Sequence, residues 1–547
     1  MDYHYFDEPD YIDIAASEDE EADEDEPESY IHPRVMYGRD QNPHEHLDQL
    51  HNEGSRVSAI DPVVERLRDT FEFCVLPSWH QILYYLAPLL LCCLACRLLS
   101  TLYAYHRFPE ADRPRVRPNT MAVAPLHLIS ALSGLVMLYV TLGQRLWVLV
   151  LLSSLSYGLL QLVRLGSGQR GALAIALITI GSQFSYELLW HQPAAWTQLR
   201  GLQMVANMKV ISLAFDMAEM GAVKQLMPSI LAYLGYIFNP ATCMLGPWIS
   251  YTAYLQCLGT NTLARWRSQL FRALLHVIFC VLALAMSNCI CPTLNEFDSH
   301  YMLATPNLWQ VWMTWVGALG VRSSHYFVSY LSQAMLITAG QSLEMDRVTV
   351  PGRDRQQVCD AWTIEWPYSL SVLVRKWNIP MHEWLKRYIY GRMRGRAQQH
   401  TIVAVFCTYL VSSLLHGMDL RIYLVLLSLA TFANGEVMLR RHLATLTRAC
   451  IMANPCMGKD RCRYTHCPSK RGWGHWSSWL VMFVNLMFRL LAMFHLAYLG
   501  VVLLNDSLTD SLEMEDGEMP FLWHWWSSGY LSHYIGLGTF VLYLFIS

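Results

Sequence analysis

Charge is scarce in this 547-residue chain: 15% of its residues are charged against 53% hydrophobic, and mean hydropathy is +0.22. Water-soluble domains carry about 25% charged residues to solvate their surfaces, so this composition argues against an assembly of such domains. Also missing are a fixed-period repeat, a glycine-rich phosphate loop and any nucleic-acid-binding motif, which removes solenoids, phosphate-loop nucleotide enzymes and DNA or RNA readers. No apolar run precedes Trp79, so no cleavable signal peptide is expected, and insertion would start from the first spanning helix. The 15 cysteines make no compact disulfide framework. Cys92, Cys93, Cys96, Cys243, Cys257, Cys280 and Cys407 lie in or beside apolar stretches, where cysteine behaves as a small hydrophobe.

What is present is apolar length. Runs of about 20 apolar residues recur from Trp79 onward, each long enough to cross a bilayer as a helix. The expected fold class is all-α: a polytopic transmembrane helical bundle of roughly ten to twelve membrane segments. The net charge of −4 is misleading, because the acids crowd into SEDEEADEDEPES at Ser17–Ser29. Such a self-repelling tract cannot bury a core, so residues 1–75 read as a disordered acidic tail and 76–547 as one multi-pass membrane domain.

In chain order, crossings are expected at Trp79–Ser100, Met121–Leu142, Leu146–Val163 and Ala172–Trp190. Gly201–Met220 is apolar but carries Asn207, Lys209, Asp216 and Glu219; it either lies at the interface or crosses with its polar side inward. Ile230–Leu258 is broken at Pro240 and Gly246-Pro247, which predicts a pocket, since broken helices survive at membrane depth only where protein packs them or water wets them. Phe271–Met286 and Trp309–Leu319 follow. Ser323–Gly340 then forms a polar-faced helix with His325, Tyr326, Ser329, Tyr330 and Ser332. Val348–Pro367 reads as a loop, and Trp377-Asn378-Ile379-Pro380 opens a segment too short and charged to span. Two crossings come next, Thr401–His416 and Leu420–Leu439, and the last two are Trp476–Leu504 and Tyr530–Ile546.

The stretch that promises chemistry is Thr401–His416. As a helix it is about 24 Å long, with Tyr409, Ser412 and His416 on one face. An imidazole held there either marks a functional cavity or is a helix-end histidine wetted by headgroups. The basic segments Lys386–Arg396 and Arg440–Arg471 are expected on the cytosolic side, which puts His416 toward the other, lumenal side. A histidine base needs a hydroxyl and an activated electrophile, and an asparagine amide can hold a developing oxyanion. Acyl-CoA suits such a site: its phosphates could meet Lys386, Arg387, Arg392, Arg394 and Arg396, although basic loops more often only anchor topology. In the second basic loop, Cys450, Cys456, Cys462, His466 and Cys467 are spaced more loosely than the usual zinc pairs. That spacing favours free or lipid-modified thiols over a metal.

At Asn378 and His416 the chain resembles the membrane-bound O-acyltransferase family, whose signature pairs a loop asparagine or histidine with a histidine in an apolar helix. The likeness extends over RGLQMVANMKVISLAFD, GPWISYTAYLQ, SHYFVSYLSQAMLITAG, KWNIPMHEWL, TYLVSSLLHG and FHLAYLG, in order from about Arg200 to Gly500. It implies a serine acyltransferase of the endoplasmic reticulum membrane that moves a monounsaturated C16 (palmitoleoyl) chain from palmitoleoyl-CoA to a serine of Wnt proteins. No permanently bound cofactor is implied. By the same resemblance His416 is the catalytic histidine and Asn378 its partner, with Trp377, Tyr409, Ser412 and Leu415 lining the acyl or peptide path. Two other readings compete: a lysophospholipid acyltransferase on the same fold, or a non-enzymatic scaffold or transporter for secreted cargo. A transporter should show paired broken helices in two similar halves, and the sequence has none.

Overall fold

The computed structural model describes residues 68–107, 123–165, 168–189, 193–219, 227–258, 266–296, 308–341, 357–394, 401–456, 462–472, 474–503 and 530–546, with Glu65, Gly458, Lys459 and Trp525. The acidic tract Ser17–Ser29, and with it most of the expected tail, lies outside the described residues, as does the acidic segment near 507–519. The chain divides into two units, the larger of which runs from Cys74 onward. Everything below concerns the larger unit.

Its described residues form helices and no sheet. The principal ones are α1 (Leu76–Arg107), α2 (Ala124–Leu142), α3 (Leu146–Leu165), α4 (Gln169–Leu189), α5 (Pro193–Glu219), α6 (Ile230–Ile237), α7 (Tyr251–Cys257), α8 (Trp266–Ala285), α9 (Leu308–Thr338), α10 (Leu370–Trp377), α11 (Ile379–Leu385), α12 (Thr401–Leu415), α13 (Leu420–Thr447), α14 (Trp476–Val501) and α15 (Leu531–Ile546). Six described helices are long and apolar enough to cross a membrane. Their outer faces are greasy: on α8, Leu274, Ile278 and Leu282 stand exposed at helical spacing. Lipid suits such a stripe, and water would not. The chain is a multi-pass membrane protein.

The ambiguous segment at Gly201–Met220 becomes the long helix α5, and it lies inside the protein. Asn207, Lys209 and Asp216 are buried. Lys209 faces the broken segment after α6, Asn207 faces Thr179 and Gln183 on α4, and Asp216 faces Arg387 and Tyr388, and these partners are why so polar a helix can sit there. Lys209 Nζ donates to the carbonyls of Tyr236 and Ile237 at 2.9 and 3.0 Å and to the Thr242 hydroxyl at 2.9 Å. Those carbonyls end α6, where the chain leaves the helix and runs irregularly to Ser250, the cap of α7. Asn239 in the same stretch donates to Ser130, and Trp248 donates to Ser212. The expectation of a pocket at this break is therefore corrected: side chains from α2 and α5 fill it and satisfy its backbone.

A second correction concerns α9. The sequence reads as two helices, but the structure has one, because Arg322, which interrupts the apolar pattern, is neutralised rather than exposed. Its guanidinium donates twice to Glu365, at 2.8 and 3.0 Å, and Tyr326 donates to the same carboxylate at 2.6 Å. Gly320 lies against Cys291, so the small residue that might have ended the helix instead admits a neighbour. Among the described residues one disulfide, Cys74–Cys289, ties the start of α1 to the segment after α8.

Close backbone approach is used where α2 meets the broken segment. A Cβ added to Gly134 would lie 1.6 Å from the Phe238 carbonyl oxygen, and backbone cannot retreat as a side-chain tip can. Gly134→Ala should therefore cost about 3 kcal/mol or more, seen as a lower thermal midpoint in detergent. Gly181→Ala, with nothing within 4 Å, should leave the midpoint unchanged or slightly raised.

Candidate active site

The apolar helix α12 ends at Leu415, and the chain turns sharply before α13. His416 N–H donates to Ser413 O at 2.9 Å and Gly417 N–H to Leu414 O at 3.1 Å, closing the last turn. Gly417 then adopts φ +83°, and Asp419 caps α13 by accepting from Arg421 N–H. His416, half-buried, sits on this corner.

The corner is held from behind by amides. Gln183 on α4 donates to Leu415 O at 3.0 Å, Asn207 on α5 donates to Gln183 Oε1 at 3.0 Å, and Gln203 donates to Asn207 Oδ1 at 2.8 Å. Three side-chain amides in series thus fix the carbonyl next to the imidazole. On the other side, Met418 N–H donates to Glu187 at 2.9 Å.

The second corner is Trp377–Asn378, between α10 and α11. Asn378 caps α11, its Oδ1 accepting from Met381 N–H at 3.1 Å. With that oxygen engaged, the amide nitrogen is the group Asn378 can offer a ligand. Trp377 stacks on His325 of α9, ring centroids 4.5 Å apart and planes 13° from parallel. His325 Nε2 lies 2.8 Å from Trp377 O. A carbonyl only accepts, so Nε2 carries the proton and donates, and Nδ1 is the unprotonated nitrogen of the neutral ring. The loop before α10 is clamped to the same helix: Val358 N–H donates to Gln333, Ile379 N–H to Val358 O, and Lys376 pairs with Asp360 at 2.9 Å.

Of the residues singled out in the sequence, Trp377 and Asn378 share one corner, and Leu415 and His416 share the other. His325 stacks on the first. Ser412 and Leu415 are buried on α12 and Tyr409 is half-buried. Two hydroxyls of α12 are spent on the helix itself, Thr408 donating to Ala404 O and Ser413 to Tyr409 O. His325 is the residue whose place sequence reasoning missed. Its signal was the polar face of SSHYFVSYLSQ, legible as unusual but not as the partner of Trp377, 52 residues on. The basic segment divides: Arg387 pairs with Asp216 at 3.1 Å and Arg392 with Glu219, so these two anchor it to α5. Lys386 is 62% exposed, its side chain 3.9 Å from Glu383.

Residues 171–473 match the family described as MBOAT, membrane-bound O-acyltransferase. The chain is 48% identical over 495 residues to the protein-serine O-palmitoleoyltransferase porcupine of Drosophila melanogaster, covering 88% of this chain and 87% of that one. The Homo sapiens protein of that description is 31% identical over 496 residues, 88% and 98% of the two chains. A lysophospholipid acyltransferase of Schizosaccharomyces pombe is 22% identical over 299 residues, 49% and 58% of the two chains. The matched span contains both corners, the α5 amides and His325.

Gly417 tests the corner's rigidity. It combines φ +83° with a neighbour in the way, since an added Cβ would lie 2.7 Å from Glu187 Oε2. Gly417→Ala should cost about 1–3 kcal/mol, read as a lower thermal midpoint, with some relief when Glu187 is also made Ala because that contact is a side-chain tip.

Proposed function

This chain belongs to the membrane-bound O-acyltransferase family and is an O-acyltransferase that draws on an acyl-CoA donor; from that premise we propose that it transfers a palmitoleoyl chain from palmitoleoyl-CoA to a serine of secreted Wnt proteins at the endoplasmic reticulum membrane. The description of its Drosophila and human relatives as protein-serine O-palmitoleoyltransferases supports the acyl group and the acceptor. The observation that carries the site is the Trp377–Asn378 corner, where His325 stacks on Trp377 and donates to its carbonyl while the cap of α11 engages only the oxygen of the Asn378 amide.

His416 acts as general base. It takes the proton of the acceptor serine as the hydroxyl oxygen attacks the thioester carbonyl, and the C–S bond then breaks to release CoA thiolate, which is later protonated. Asn378 donates its amide N–H to the carbonyl oxygen as negative charge develops there. His325 holds the Trp377–Asn378 corner in register through its hydrogen bond and stacking. Tyr409, Ser412 and Leu415 line the path of the acyl chain or peptide. Sidedness fits a secreted acceptor: His416 opens α13 and the basic loop closes it, about 40 Å apart along a 28-residue helix. Basic loops face the cytosol, so His416 faces the lumen, and the thioester must reach it through the protein.

The lysophospholipid acyltransferase among the relatives keeps a lipid acceptor as the second reading. Purified enzyme given a palmitoleoyl-CoA analogue with a Wnt-derived serine peptide, or with a lysophospholipid, separates the two: label on the peptide alone is expected, and label on the lipid alone would overturn the acceptor. His416→Ala should lower transfer at least about 100-fold with an unchanged thermal midpoint. Asn378→Asp keeps the helix cap and removes the amide donor, so it should lower kcat by about 100-fold or more while stability holds. A normal rate in either variant would remove that residue from the chemistry.

A further inference from the structure

Four thiols gather in the basic loop between α13 and α14. The sulfurs of Cys450, Cys456, Cys462 and Cys467 all lie within 4.8 Å of one another. The Cys450–Cys462 pair is separated by 3.6 Å and the Cys456–Cys467 pair by 3.7 Å. A disulfide would bring two sulfurs to about 2.05 Å, so neither pair is one, and all four cysteines are free. Four thiolates placed tetrahedrally at the usual Zn–S distance of about 2.3 Å stand about 3.8 Å apart, which is the spacing of both pairs. A four-iron cluster needs its cysteine sulfurs farther apart than 4.8 Å, which leaves a single-ion site.

The loop is built to hold this geometry. Arg448, in the left-handed region at φ +48°, turns the chain out of α13, and the strand-like bridge Ala449–His466 brings the first and last cysteines side by side. Cys450 N–H donates to His466 O and His466 N–H to Arg448 O. Gly458 takes φ +102° two residues after Cys456, and Cys462 N–H donates back to Gly458 O. His466, grouped with these cysteines by sequence, is not among the converging donors.

We propose that Cys450, Cys456, Cys462 and Cys467 bind one structural Zn²⁺ ion. The four thiols release their protons to solvent on binding, and the resulting doubly negative site is offset by Arg448, Lys459, Arg463, Lys470 and Arg471 on the same loop. The looser spacing that argued against zinc in the sequence is absorbed by the bridge and the turn at Gly458. The site also bears on the active site at a distance. Buried Arg440 donates to Ile451 O and Met452 O, and Ser369, the cap of α10, donates to Ala453 O. Closing the loop therefore fixes the start of α10, whose far end carries Trp377 and Asn378.

The test is metal analysis by mass spectrometry on full-length wild-type protein, purified in detergent without chelator. One zinc per chain is expected. Each of Cys450→Ser, Cys456→Ser, Cys462→Ser and Cys467→Ser should lower the content at least several-fold, while Cys407→Ser keeps it. Because these variants can fail to fold, wild-type protein is also exchanged with Co²⁺. Intense thiolate-to-cobalt absorption, and protection of the four thiols from alkylation until a strong chelator is added, are expected without any mutation. Active wild-type protein without zinc, iron in its place, two disulfides in the loop, or acyl thioesters on these cysteines would overturn the proposal.

Discussion

Lys209 is buried completely, and its ammonium group is fully used by two carbonyls and a hydroxyl. An ammonium at such a depth is tolerated only because each of its protons has an acceptor, and the carbonyls at the end of α6 are tolerated only because they have a donor. The rest of the bundle depends on this exchange. A membrane protein can leave helical geometry inside the apolar layer only where another element supplies the missing hydrogen bonds, and α5 is that element. It serves the break after α6 through Lys209 and Ser212, and the corner after α12 through Gln203 and Asn207. It also anchors the basic segment, accepting a bond from Trp384 at Met208 O and bonds from Arg387 and Tyr388 at Asp216. Its polar content, which makes it a poor lipid-facing helix, is what makes it a good internal one.

The candidate site follows from the same economy of polar groups. Both corners are places where the chain stops being helical, and both expose functional atoms because their backbones are satisfied elsewhere. At the α12 end the amide series Gln203–Asn207–Gln183 occupies Leu415 O, leaving the His416 ring free of structural duty among these contacts. At the α10–α11 corner the cap consumes one atom of Asn378 and leaves the other. His325 steadies the second corner through its stacking on Trp377 and its hydrogen bond to Trp377 O. The candidate groups are held by the rigid helices behind them rather than by the corners themselves, which is how irregular backbone can keep a fixed geometry.

Much of this was legible in the chain. Apolar runs marked most of the long helices within a few residues, since the period and length of a spanning helix are local properties. Pro240 and Gly246-Pro247 marked the break, and Asn378 before Ile379-Pro380 marked a helix start. Less legible was anything that needed a distant partner. The stretch between Leu319 and Ser323 looked like a gap between two helices until Glu365, 43 residues on, neutralised Arg322. The break looked like a pocket until Lys209 filled it. The four cysteines looked too widely spaced for a common point until Ala449 and His466 paired. In each case the missing information was a contact between segments whose separation in sequence carries no periodic signal.

By itself the sequence determined that this protein is a helical membrane protein, where its apolar helices run, and that His416 and Asn378 stand at helix boundaries, because hydropathy, helix period and capping act over a few residues. The tertiary structure alone decided that α5 is internal, that α9 is continuous, that His325 holds the Trp377–Asn378 corner, and that four thiols converge. Those outcomes depend on which buried polar group finds which partner across the bundle, and in an apolar medium that pairing governs the packing.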